Sequence, residues 1–341
     1  MTKIKTTIHD IARVLNLTAS TVSRALNDHP KISSSTKALV KKTAEEMGYK
    51  PNPVAATLRT GKGKTIGMIV PRINRDFVSN VIAGAENICR QGGYSLIICQ
   101  SEENLIREKE AIATLLNSRV SGILISISAQ TNTSDHLSSI IKEGIPIVQF
   151  DRIRTDISTN SVVNDNYAAA YEATLHLINQ ECKNIYFFSG QRYINIYKER
   201  CEGFIDAMKN LNKAVDEMII EPVITQEKGY EITSQLLLSD TPPDAILAAS
   251  DYSALGALLA AKDLSVNIPA KLAIIGFSNE PFTALITPSL TSIDQKAKEM
   301  GENAAKLLLE AVNHPHLQLP PQQIILKTEL CIRQSSKKQE L

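Results

Sequence analysis

What this 341-residue sequence lacks already excludes several kinds of protein. It has no run of about 18 apolar residues, so no transmembrane helix is expected. The opening Met1-Thr-Lys-Ile-Lys-Thr-Thr-Ile-His-Asp has no apolar stretch of the secretory kind, so no signal peptide is expected and the chain reads as cytoplasmic. The five cysteines (Cys89, Cys99, Cys182, Cys201, Cys331) are scattered and form no C-x-x-C pair. That argues for reduced thiols, mostly buried, and against a disulfide framework or zinc site. No G-x-G-x-x-G follows a strand pattern, so a dinucleotide site would lack its phosphate loop. Gly63-Lys64-Thr65 has the ending of a P-loop, but the first glycine of such a loop would fall at Leu58. The six histidines include no H-E-x-x-H, and His314-Pro315-His316 reads as exposed loop. Ser34 and Lys37 have the spacing of a nucleophile pair but stand at a helix start, where capping explains the serine. With no nucleophile–base or metal constellation, neither an enzyme nor a cofactor is expected.

Net charge is also nearly absent, at +1, but the two parts of the chain differ sharply. Residues 1–64 carry twelve Lys/Arg and four Asp/Glu, a local net of +8. Residues 65–341 carry 25 basic and 32 acidic side chains, a local net of −7. A basic head on an acidic body suggests a polyanion-binding module joined to something else.

Within the head, Ile8, Ile11, Ala12 and Leu15 fall on one helical stripe, and Thr7 with Asp10 suits a capping box. Asn16 and Leu17 break the pattern. Thr18 then caps a second helix with an apolar side of Val22, Ala25 and Leu26 and a small polar side of Ala19, Ser20, Thr21, Ser23, Arg24 and Asn27. A third helix follows the cap candidates Ser33, Ser34 and Ser35, turns Leu39, Val40, Thr43, Ala44 and Met47 inward, and ends at Gly48. Two helices joined by a short turn in a basic module match a helix-turn-helix, whose second helix suits the major groove. An ordinary three-helix domain with a solvated polar face is the alternative.

Asn52 then reads as an N-cap, Pro53 as a first helical residue and Gly61 as a stop. A helix of about two turns is marginal in water and forms when something buries it. Leu58 is its apolar tip, suited to wedge into a base step from the minor groove. A linker helix packed on the next domain is the other reading. Gly61-Lys62-Gly63-Lys64 reads as a flexible basic linker.

Three stretches, Thr7-Ile-His-Asp-Ile-Ala-Arg, Thr21-Val-Ser-Arg-Ala-Leu-Asn and Gly48-Tyr-Lys-Pro-Asn-Pro-Val-Ala, together resemble the headpiece and hinge of the lactose-repressor/galactose-repressor (LacI/GalR) family of bacterial regulators. The resemblance implies that Thr18, Ala19, Ser20 and Arg24 face base edges and that Thr21, Ser23 and Asn27 hold phosphates. It implies a hinge of Asn52, Val54, Ala55, Leu58 and Arg59 in the minor groove. Ala19 offers little beyond contact with a thymine methyl.

From residue 65 the pattern changes to short apolar runs (66–70, 95–99, 122–127, 146–150, 185–189, 245–249, 272–277, 290–293). Helical stretches alternate with them (78–91, 107–117, 168–180, 199–211, 253–262, 296–312). This predicts doubly wound parallel sheets, and the length predicts two lobes. Strand carboxyl ends facing across the lobes would frame one cleft.

The family resemblance continues to about residue 333 and implies a type I periplasmic-binding-protein-like body with three crossings, near residues 163, 291 and 321. The expected organisation is a headpiece at 1–50, hinge and linker at 51–64, effector domain at 65–335 and polar tail at 336–341. The near lobe would take about 65–163 and 292–321, the far lobe about 164–291 and 322–335. The resemblance also supplies effector-binding candidates: Phe77, Asp151, Arg200, Asp251 and Ser278. An aromatic face, a planar Arg fork and carboxylates suit a polyhydroxylated ligand. Each also has a structural reading: Phe in the core, Asp as a helix cap, Arg in an ion pair.

Two departures stand out. Ser278 follows Ile275-Gly-Phe where sugar-binding members usually carry Asp, and Ser250 precedes Asp251 where they usually carry Asn. Loss of a carboxylate beside Arg200 favours an anionic ligand such as a sugar acid. A phosphoprotein corepressor, or an empty cleft, is the alternative. The combined expectation is a homodimeric transcriptional regulator, a repressor by default, binding double-stranded operator DNA under control of a sugar or sugar acid. The short polar tail, with no heptad helix, favours a dimer over a tetramer. A solute-binding protein or an enzyme on the same two-lobe fold is the alternative.

Overall fold

The computed structural model describes residues 6–49, 63–209, 215–317 and 320–337. The hinge candidates Asn52, Val54, Ala55, Leu58 and Arg59 lie outside the described residues. The chain forms two compact units, Met1–Gly63 and Lys64–Leu341.

The first unit holds α1 (Ile8–Leu15), α2 (Ala19–Leu26) and α3 (Ser34–Glu46). Both halves of the Thr7–Asp10 capping box are formed, and Thr18 and Ser33 each accept a backbone N–H at the starts of α2 and α3. Asn16 turns the chain between α1 and α2 with φ 50, a conformation Asn tolerates better than most residues. Gly48 ends α3 with φ 62. Ile11, Ala12, Val22, Ala25, Val40 and Ala44 form the core. Leu39, expected inside, is 52% exposed: it precedes Val40 and faces solvent when Val40, Thr43 and Ala44 face in.

The second unit consists of two lobes, each built on a six-stranded sheet. The near lobe contains β1 (Thr65–Val70), α4 (Asp76–Gln91), β2 (Ser95–Gln100), α5 (Leu105–Asn117), β3 (Ile123–Ile125), α6 (Asp135–Lys142), β4 (Ile147–Phe150) and β5 (Asn160–Asn164). The far lobe contains α7 (Asn166–Asn179), β6 (Ile185–Phe188), α8 (Asn195–Met208), β7 (Ile219–Ile220), α9 (Gln226–Leu237), β8 (Ala245–Ala248), α10 (Asp251–Asp263), β9 (Ala273–Phe277) and β10 (Thr291–Asp294). The chain then returns through α11 (Ala297–Asn313) and β11 (Gln323–Leu326) to the near lobe, and ends with β12 (Glu329–Cys331) in the far one. The near sheet runs β11-β5-β4-β3-β1-β2, all parallel. The far sheet runs β12-β10-β9-β8-β6-β7, with only β12 antiparallel. Central strands such as β1 and β9 are buried on both faces, which is why they read as unbroken apolar runs.

Each sheet is covered on both faces. In the near lobe α4 and α11 pack on one face, α5 and α6 on the other. The α4–α11 crossing needs glycine, because a Cβ on Gly84 would collide with the Lys298 carbonyl and one on Gly301 with the Val81 carbonyl. In the far lobe α7 and α8 face α9 and α10 across the sheet.

Three features differ from expectation. The second and third crossings follow residues 294 and 326, not 291 and 321. β10 pairs with β9 of the far sheet and β11 with β5 of the near sheet, pairings that apolar runs alone do not reveal. The strands β5, β7, β11 and β12 and helices α6 and α9 went unread, being short or weakly patterned. Residue 336 does not begin a free tail. Ser335 and Ser336 are fully buried, with Ser335 Oγ donating to the Ile274 carbonyl at 2.5 Å and accepting from Thr291 N–H at 2.8 Å, so their hydroxyls satisfy strand groups of the far sheet. All five cysteines are free thiols. No helix among the described residues is long and apolar enough to cross a membrane.

Candidate functional site

The headpiece site is the exposed side of α2. Thr18 Oγ1 lies 2.8 Å from Ser20 Oγ and 2.9 Å from Thr21 Oγ1, giving a cluster of three hydroxyls at a helix N-terminus, where backbone N–H groups attract anions. Thr18, Ser20, Arg24 and Asn27 are exposed and Thr21 is half-buried. Arg24 makes no ion pair with any described residue, so its guanidinium is available to a guanine edge. Ala19 is half-buried against the headpiece core. Ser23 is 7% exposed and stands one turn from Asn27, whose side-chain amide donates to its carbonyl at 2.6 Å.

The second unit holds a cavity of about 650 Å³ between its lobes. Phe77, Asp151, Arg200, Asp251 and Ser278 all line it, although they come from five separate segments. The strand ends explain the convergence: Asp151 follows β4, Asp251 follows β8 and Ser278 follows β9, so parallel strands deliver their carboxyl ends to one place. Phe77 packs its other side on the near-lobe core.

Arg200 is 2% exposed. Its Nε donates to Asn166 Oδ1 at 2.9 Å and one Nη to the Ala249 carbonyl at 3.1 Å. Its guanidinium lies over the Phe277 ring, 3.5 Å from the centroid. No carboxylate of the described residues pairs with it, so the charge is fixed in place with donors to spare. Burial lowers its pKa to about 10, so it remains cationic at neutral pH. By contrast, Arg152 in the same cavity donates to Glu103 at 2.6 Å. Asp151, held at φ 57, has its pKa raised by burial, with Arg152 and Arg200 pulling it down.

Asp251 differs from its expected role. Oδ1 accepts from Ser292 Oγ at 2.6 Å and Oδ2 from Glu280 N–H at 2.8 Å. Both oxygens are engaged within its own lobe, leaving little for a ligand. Gly276 admits the carboxylate, since a Cβ there would collide with Oδ1. Burial raises the Asp251 pKa to about 7, against the pull of Ser292 and the Glu280 amide. Ser250 caps α10, its Oγ accepting from Tyr252 N–H at 3.2 Å. Ser278 donates to Gln295 Oε1 at 2.9 Å.

Reading the sequence missed several lining residues: Arg72, Arg75, Glu103, Arg152, Tyr252 and Glu280. A signal existed for half of them. Arg72 follows β1, Glu103 follows β2 and Arg152 follows β4, so the rule that ligands meet strand carboxyl ends, applied to every strand, finds them. The described residues contain no His/Cys/Asp/Glu group arranged for a metal.

A helix-turn-helix unit followed by a two-lobe α/β unit with a polar cavity between its lobes defines a ligand-responsive DNA-binding regulator. The profile for "Bacterial regulatory proteins, lacI family" matches residues 7–52, and that for "Periplasmic binding protein-like domain" matches residues 174–336. Catabolite control protein A of Priestia megaterium is 33% identical over 310 residues, spanning 90% of this chain and 92% of that protein. The HTH-type transcriptional repressor PurR of Actinobacillus pleuropneumoniae serotype 3 (strain JL03) is 31% identical over 330 residues, spanning 96% and 98%. The solved structure of a LacI family transcriptional regulator from Enterococcus faecium with bound ribose is 27% identical, with a TM-score of 0.71 over 81% of this chain and 100% of that one. The chain belongs to the lacI family of bacterial regulatory proteins. It is a DNA-binding transcriptional regulator.

Proposed function

We propose that the protein is a homodimeric cytoplasmic repressor whose affinity for a pseudo-palindromic operator is set by a sugar or sugar acid in the cleft. The observation that carries the effector class is Arg200: a buried guanidinium stacked on Phe277, in direct contact with no carboxylate of the described residues and with donors left over in a cavity-lining residue. A planar cation on an aromatic face, with Asp151 nearby, suits hydroxyl and carboxylate groups on a small polar ring. Ribose in the Enterococcus faecium relative supports a carbohydrate. A two-fold dimer would present two α2 helices to two half-sites.

In this reading Thr18, Ala19, Ser20 and Arg24 read bases, Thr21, Ser23 and Asn27 hold phosphates, and Asn52, Val54, Ala55, Leu58 and Arg59 form the minor-groove hinge. Phe77, Asp151, Arg200 and Ser278 contact the effector, and Asp251 supports the cleft wall. The effector acts by binding the DNA-competent and DNA-incompetent states unequally. Selection of bound DNA from a random pool, with and without neutral hexoses, hexuronates and aldonates, tests it. An operator with two-fold symmetry whose recovery changes with one of these compounds is expected. Recovery of no preferred sequence would sink the DNA reading, and tight calorimetric binding of neutral hexoses alone would sink the acid branch.

A further inference from the structure

Ser278 and Asn279 stand consecutively at φ 119 and φ 54, a conformation that non-glycine residues adopt only when their surroundings impose it. The surroundings here are specific. Arg333, after β12, donates to Asn279 Oδ1 and to the Leu290 carbonyl, both at 2.7 Å. Ser292 Oγ accepts from Asn279 N–H at 2.9 Å, and Asp251 accepts from Glu280 N–H at 2.8 Å. This turn directs the Glu280 side chain out of the far lobe and across the cleft. Its carboxylate, on a residue 5% exposed, accepts from Asp76 N–H at 3.3 Å, and the Phe77 amide also contributes. Those amides open α4 of the near lobe, where the first N–H groups have no partner within the helix and the dipole favours an anion.

We infer that Glu280 is a built-in latch that ties the far lobe to the start of α4 in the near lobe. A carboxylate already seated on α4 does from within the protein what an oxygen of a bound ligand would otherwise do. Other interlobe contacts flank it: Arg75 stacks over Tyr252 at 3.8 Å, and at another edge of the cleft Ile153 N–H donates to Asn195 Oδ1 at 3.0 Å. Glu280 also lines the cavity, so an effector reaching the start of α4 has to displace it or pack beside it. That consequence rests on reading the cleft as the effector site; the latch itself does not.

Amide hydrogen exchange on the full-length protein without added ligand tests the latch. In Glu280→Ala, exchange at Asp76 and Phe77 should rise by about tenfold or more, and exchange at Ile153 should rise with it because the lobes part. The isosteric Glu280→Gln keeps an oxygen acceptor without the charge, and smaller increases at both places are expected. Amides of the central strands β1 and β9, unchanged in both variants, report that each lobe remains folded. A rise confined to Asp76 and Phe77 would make Glu280 a local cap of α4, and unchanged exchange at all three amides would remove even that; either overturns the latch. No effector or DNA is present, so failure leaves the proposed regulatory function standing, and failure of that function leaves this measurement intact.

Discussion

In α2 of the headpiece, the candidate DNA contacts other than Ser23 reach solvent at least in part, and Arg24 is exposed with no ion-pair partner among the described residues. In the cleft, Arg200 is 2% exposed, held at fixed distance by Asn166, Ala249 and Phe277. The difference follows from the partners. Duplex DNA is a large polyanion that brings its own surface, so solvated cations and hydroxyls on one helix suffice to meet it. A small effector must be taken out of water and surrounded, so its contacts come from many segments and are held in place before it arrives. The charge division follows the same lines: +8 where phosphates are met, −7 elsewhere, which discourages DNA contact by anything but the head.

The largest effect should come from the buried side of this contrast. Arg200→Ala should weaken effector binding at least a hundredfold, roughly 3–5 kcal/mol, because desolvated donors are lost from a site built around them. Arg200→Lys should restore little, since an ammonium cannot lie flat on Phe277. Calorimetry with the effector, and operator binding without it, would check both; a loss of effector-free operator binding would break the separation between cleft and headpiece.

Asp251 should show its burial as a pH effect. Its carboxyl holds a proton more tightly in the folded chain (pKa about 7) than in the unfolded one, so the protonated form favours the fold. Its contribution is greatest below pH 4 and is lost as pH rises to about 7, on the order of 4 kcal/mol in all. Asp251→Asn should flatten the thermal-midpoint profile over that range relative to the parent. Parallel profiles would show that the carboxylate is ionised throughout.

On the exposed side, Arg24→Ala should relax base preference at one operator position by roughly 1–3 kcal/mol, read by competition among operator variants. A uniform loss across all sequences would make it a phosphate contact. Smallest of all, Leu39→Ala should change headpiece stability by less than about 0.5 kcal/mol in denaturant melts, whereas Val40→Ala, fully buried, should destabilise it clearly.

Much of the headpiece was legible because local rules govern it. Caps, a left-handed Asn16, a terminal Gly48 and one apolar stripe per helix are all determined within a few residues of sequence. Leu39 was misplaced because it borders a core position and the difference between inside and outside there is a single helical step. In the body, the central strands were legible as apolar runs. β11 and β12 were not, since β11 is buried only at Leu326, and pairing with β5 or β10 is a contact across the fold. The five cleft candidates came from family resemblance, and their convergence on one cavity agrees with it. Asp251 shows the limit: its position was right, but whether its oxygens face a ligand depends on Ser292 and the Glu280 amide, far away in sequence.

By itself, then, the sequence determined the periodicities, the caps, the charge division and the parallel two-lobe class, because these depend on neighbours a few residues apart. Only the tertiary structure decided which strand sits in which sheet, that the Arg200 guanidinium is buried on Phe277 with no carboxylate of the described residues in direct contact, and that Glu280 crosses from one lobe to the start of α4 in the other. Burial and hydrogen-bond partnership are properties of what surrounds a side chain. In this cleft, the surroundings are assembled from segments up to 204 residues apart.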